Sequence, residues 1–150
     1  MPQSLARLNV HLIFSTKNRE RVLTDEVRDH LHRYASTVLA NHGCHHVFIN
    51  SVEDHIHILF DLGRTCAVST IVKEVKTGTS QWIKTQGARF ELFAWQAGYA
   101  ALAVDIASEQ GVREYIANQR EHHHTETFQE EYRRFLTANG IEYDERYVWD

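Results

Sequence analysis

Cysteine is scarce in this chain. Cys44 and Cys66 are the only two, and they lack the spacing of a zinc knuckle or a redox pair, so reduced thiols in a cytoplasmic setting are expected. No apolar run approaches the span of a bilayer, and Met1 to Asn9 carry no signal-peptide core. Neither a leader nor a membrane partner is therefore expected. Repeats, linkers and low-complexity segments are absent, so residues 1–150 read as one domain with room for a real core. Positive charge is not in excess either. A formal charge of −4 argues against indiscriminate coating of nucleic acid, though not against a local basic face. What is abundant is histidine: eleven residues, many in surface-like contexts (His42, His45 and His46; His122, His123 and His124).

Leu8 to Ser15 alternates Val10, Leu12 and Phe14 and reads as a first strand. The turn after it packs Lys17, Arg19 and Arg21 together, either as a solvated loop or as a strand exit able to touch phosphate. Thr24 is placed to cap a helix in which Val27, Leu31, Tyr34 and Val38 form the buried stripe; Asp25 and Glu26 suit its first turn, and Asn41 and Gly43 end it. His45 to Val52 and His55 to Leu62 are joined by so few residues that they should form an antiparallel hairpin. A second helix spans Val68 to about Lys84. Its Gly78 marks a kink or a close approach of another backbone. Phe90 to Tyr99 is aromatic and turn-rich, and Ala100 to Asp105 reads as another strand. Ser108 can cap a third helix, and a capping box from Thr127 to Glu130 starts a fourth, which stops at Gly140. The aromatic tail, Ile141 to Asp150, is expected to dock. The order βαββαβ followed by helices predicts a ferredoxin-like α+β sandwich with a C-terminal helical addition.

Within His55-Ile56-His57, strand alternation puts Ile56, Ile58, Phe60 and Leu62 on one face and both imidazoles on the other, roughly 6 to 7 Å apart. This is either a half-buried strand that happens to carry two histidines or a pair able to grip one divalent ion. In the third helix Tyr115 and Gln119 are four residues apart and project from one face, which His122 shares. The tyrosine is either a core residue with its hydroxyl at the surface or a nucleophile. A metal held by two histidines still wants oxygen ligands, which the Gln119 amide can supply, and its open positions could polarise a phosphate. A phenol nearby could then attack phosphorus and conserve the bond energy as a phosphotyrosine ester.

Several stretches together resemble the single-tyrosine HUH transposases, the small transposases of insertion sequences and their REP-associated relatives. They are Phe14-Ser15-Thr16-Lys17, Asp54-His55-Ile56-His57, the Ile71 to Trp82 helix, Trp95 to Tyr99, Val112 to His123, and Gly140 to Trp149. The resemblance implies that His55, His57 and Gln119 bind magnesium or manganese and that Tyr115 forms a 5′-phosphotyrosine. It also implies hairpin-marked single-stranded DNA ends as substrate, action at the nucleoid in the bacterial cytoplasm, and a homodimer whose subunits can share active sites. Glu53 stands where the family often has proline, and Ala97 and Ala100 where it often has larger residues or glycine; the chemical positions are intact.

Lys17, Arg19, Arg21, Lys73 and Lys76 are the first candidates for phosphate contact. A competing reading is a non-catalytic single-strand-binding module, because such sheets bind bases through aromatics and basic faces. A phosphohydrolase with a longer histidine run is disfavoured by Leu59 at the third alternating position.

Overall fold

The computed structural model describes residues 2–122 and 125–150, with only the backbone of His122. Four strands, β1 (Asn9–Ser15), β2 (His45–Ser51), β3 (His55–Asp61) and β4 (Ala100–Val104), form one sheet in the order β2-β3-β1-β4. Every neighbouring pair is antiparallel, with Ser15 opposite His55 and Ile13 opposite His57 across β1 and β3. This is the ferredoxin-like order expected from βαββαβ. The short link after β2 closes as a hairpin, with the Val52 amide donating to the His55 carbonyl.

The helices α1 (Asp25–Asn41) and α2 (Val68–Ile83) cover one face of the sheet. Their apolar stripes meet Val10, Leu12, Phe14, Ile56, Ile58 and Phe60 in the main core. At one end of the sheet Phe93 and Phe14 both meet the Trp95 ring edge-on. The stripe of α1 is rotated from the expected one: Val27, Leu31, Ala35 and Leu39 are buried, whereas Tyr34 is partly exposed and stacks on Trp82. Gly78 neither kinks α2 nor meets a backbone. A Cβ there would lie 3.1 Å from the Tyr34 ring, so glycine makes room for that ring. Thr24 takes the N-cap position of α1, but its hydroxyl makes no cap bond.

The opposite face of the sheet is covered by α3 (Glu109–Ala117), the short α4 (Gln119–His122) and α5 (Phe128–Ala138). Thr127 and Glu130 make the expected capping box of α5. The Ser108 hydroxyl does not cap α3; the turn before it is capped instead by Asp105, whose side chain accepts from the Ser108 amide. The third helix is also not continuous: it breaks at Asn118. A second core of Ile13, Ala100, Leu102, Phe128, Tyr132 and Leu136 lies under α5. The tail docks as expected. Val148 and Trp149 pack on that second core, and the Asp150 carbonyl accepts from the Gly98 amide at 2.8 Å. Among the described residues, no helix is long and apolar enough to cross a membrane.

Candidate active site

Because helices pack on both sides of the sheet, both faces of β3 are covered. Alternation sends Ile56, Ile58 and Phe60 into the main core and aims His55 and His57 at α4 and α5. Both imidazoles are fully buried rather than on an outer face. His55 Nδ1 lies 2.6 Å from Asp54 Oδ1. A carboxylate can only accept, so Nδ1 carries the hydrogen and Nε2 is the atom turned inward, 3.2 Å from Gln119 Oε1. His57 pairs through Nδ1 with His11 Nε2 at 2.8 Å and through Nε2 with Glu131 Oε1 at 2.9 Å.

The same Glu131 oxygen is 3.3 Å from His55 Nε2. Ligand atoms of His55, His57 and Glu131 all lie within 4.8 Å of one another, with the Gln119 carbonyl beside them. Two imidazole nitrogens with a carboxylate and an amide oxygen form a mixed donor set that suits a divalent ion such as manganese or magnesium. The residues present therefore fit a divalent ion of the kind the resemblance implies.

Burial alone would lower the pKa of His55, but the Asp54 and Glu131 carboxylates outweigh it and raise it to about 9. A cation binding at Nε2 must displace that proton. His11 goes the other way: burial, then His57, push it down to about 3, so it stays neutral and offers one donor and one acceptor nitrogen.

Tyr115 lies on α3, half-buried, its ring 6.0 Å from that of His57. Its hydroxyl donates to Glu131 Oε2 and accepts from Arg134 Nη2 at 2.7 Å. Burial, then the Glu131 charge, push the phenol above its ordinary pKa; Arg134 pulls it back without cancelling them. The helix that carries Tyr115 is tied to the sheet of its own chain. Asn50 Nδ2, on β2 opposite His57, donates to the Ile116 carbonyl at 2.8 Å, and Arg113 Nη2 donates to the His46 carbonyl at 3.1 Å. The break at Asn118 then lets Gln119 turn inward to full burial, while its amide reaches back to the Tyr115 carbonyl at 3.4 Å. The expected third member of that face, the His122 side chain, lies outside the described residues, as do His123 and His124.

The basic candidates are not gathered at this centre. Lys17, Arg21 and Lys73 are exposed, and Arg21 pairs with Glu53 at 3.3 Å. Arg19 donates to the Trp149 carbonyl at 3.1 Å. Lys76 donates to the carbonyls of Gln96, Ala97 and Gly98 at 2.7–3.1 Å, and burial lowers its pKa to about 8.

Glu131, Arg134, His11 and Asn50 were missed in the sequence. One signal was there: Glu131 sits three residues after Phe128 and four before Phe135, an acid inside the apolar stripe of α5.

Comparison with known proteins points to one family. Residues 4–119 match the family described as IS200-like transposases. The ISDra2 transposase TnpA of Deinococcus radiodurans is 25% identical over 120 residues, covering 77% of this chain and 86% of that protein. A crystal structure of a Deinococcus radiodurans R1 protein described as a transposase superposes with a TM-score of 0.62 at 24% identity, covering 79% of this chain and 98% of its own. A REP-associated tyrosine transposase bound to a REP hairpin superposes with a TM-score of 0.59 at 13% identity, covering 82% and 73%.

Proposed function

The chain belongs to the family of IS200-like transposases, and from that premise we propose that it cleaves and rejoins single-stranded DNA at hairpin-marked ends, with Tyr115 as the nucleophile. One observation carries the reading: a single buried carboxylate, Glu131, holds the Tyr115 hydroxyl on one oxygen and the His57 imidazole on the other. That puts the phenol oxygen one carboxylate away from the imidazole pair.

His55, His57, Glu131 and Gln119 are the residues that would hold a magnesium or manganese ion. Such an ion, when bound, supplies Lewis-acid polarisation of the scissile phosphate. The chain's own groups account for the rest. Tyr115 Oη attacks phosphorus, a Tyr–O–P bond forms, and the P–O3′ bond breaks. The phenolic proton passes to Glu131 Oε2, its present acceptor, and the departing 3′ oxygen takes a proton from water. Asp54 holds the His55 ring in place and His11 holds that of His57. Because the ester bond stores the cleavage energy, a 3′-hydroxyl can reverse the step without ATP. A hairpin substrate is supported by the REP hairpin carried by the similar REP-associated protein.

The test is incubation with manganese and 3′-labelled single strands of the DNA that flanks the coding sequence. A covalent protein–DNA product should run on a denaturing gel with wild-type protein and be missing with Tyr115→Phe. An adduct that persists in Tyr115→Phe removes the nucleophile assignment. Binding without any adduct in wild type would favour a non-catalytic single-strand binder instead.

A further inference from the structure

Resting on the reading of Tyr115 as nucleophile, we propose that Arg134 is a second catalytic residue, whose guanidinium grips the phosphate under attack and neutralises its charge. Arg134 lies on α5, beyond the segment that matches the family. Its Nη2 is 2.7 Å from the Tyr115 oxygen. A phosphorus poised for attack sits about 3 to 3.5 Å from that same oxygen. The oxygens on that phosphorus then fall within hydrogen-bonding reach of the guanidinium.

The side chain is pre-set for this. Glu126 accepts from Nε at 2.9 Å and from Nη2 at 3.0 Å. The guanidinium lies 5.0 Å from the centre of the Phe135 ring and 5.6 Å from that of Tyr115. Among the described residues nothing accepts from Nη1, which leaves a donor pair for a ligand. The site is also reachable. Arg134 is about half exposed and lines an open cavity of about 390 Å³ with His11, Ser108, Val112, Tyr115 and Phe135. A planar, permanently charged fork is suited to two phosphate oxygens at once. Glu126 acts here as a positioning residue.

The experiment compares single-turnover adduct formation by wild type, Arg134→Gln, Arg134→Lys and Tyr115→Phe. Two strands are used, identical except that one carries an uncharged methylphosphonate at the mapped scissile position. On the phosphodiester, Arg134→Gln should be slower by about 10²- to 10³-fold, with Arg134→Lys in between. On the methylphosphonate, which has no charge to neutralise, the deficit of Arg134→Gln should shrink to within about 3-fold. A wild-type rate for Arg134→Gln, or an equal deficit on both strands, overturns the proposal. Circular dichroism and a melting curve check that each variant folds; should Arg134→Gln unfold, the charge-retaining Arg134→Lys must still lose more on the phosphodiester than on the methylphosphonate, or the proposal fails. An adduct from Tyr115→Phe instead overturns the nucleophile reading itself. The two failures are thus distinct.

Discussion

Tyr115 and His57 meet on the same carboxylate: Glu131 takes the tyrosine hydroxyl on Oε2 and the imidazole on Oε1, 2.9 Å away. The tyrosine and the imidazole are thereby coupled through a residue of α5 rather than of the family-matched segment. Removing that carboxylate should act on both. Glu131→Gln is expected to bind manganese about 10- to 100-fold more weakly, read by titration calorimetry. It should also form the covalent adduct at least about 100-fold more slowly. Unchanged metal affinity would place Glu131 outside the coordination set.

Tyr115, Gln119 and Glu131 lie beside the imidazoles of their own chain, and Asn50 and Arg113 hold the tyrosine helix on its own sheet. Mixing Tyr115→Phe with His57→Ala should therefore restore no adduct. Recovery in the mixture would show that the tyrosine crosses between subunits.

Asn50 donates to the carbonyls of Ile116 and Ala117 at the end of α3. Asn50→Ala should cost about 1 kcal/mol of stability. Asn50→Asp should be the worse of the two, because a carboxylate facing two carbonyl oxygens repels them. Urea melts, with adduct rates measured alongside, decide whether the loss also reaches Tyr115.

His32 offers a pH-dependent test away from the chemistry. It pairs with the Ser51 hydroxyl at 2.7 Å, and burial lowers its pKa to about 4. A histidine depressed in the fold favours the folded state while neutral. Its contribution is full above the unfolded value of about 6.5 and is lost as pH falls from there toward about 4, at a cost of roughly 2 kcal/mol after allowance for its partial exposure. His32→Gln should flatten the stability profile over that window; a profile unchanged from wild type would count against this assignment.

The basic residues divide by what they already hold. Neutralising Lys17 or Lys73, both exposed, should reduce the salt slope of DNA binding by about 1 each. Lys76→Gln should chiefly lower the melting temperature, since its ammonium ties the 96–98 carbonyls to α2. If the salt slope responds to Lys76 and not to Lys17 or Lys73, the division is wrong.

Much of the site was legible because it obeys simple periods. A two-residue repeat put His55 and His57 on one side of β3, and a four-residue step linked Tyr115 to Gln119, although Asn118 breaks the helix between them. The rest was hidden because it depends on packing. Glu131 shows only as an acid in an apolar stripe, and Arg134 as an ordinary helix residue, until α5 is laid across the sheet. His11 reads as one of several polar residues of β1 until His57 is beside it. Tyr34 was misplaced for a similar reason: its ring needs the gap left by Gly78 on another helix. The basic residues could be found as a group but not sorted, since sequence does not tell which cations are already occupied by carbonyls.

The two-sided cover of β3 has an evolutionary consequence. Neighbouring residues along it answer to different demands, one set to close packing with α1 and α2, the other to reactivity. Drift by substitution can act on either set alone, but inserting or deleting a single residue would swap the two wholesale, driving imidazoles into oil and isoleucine into the reaction centre. Length variation among descendants of this chain should thus collect in its loops and spare this strand.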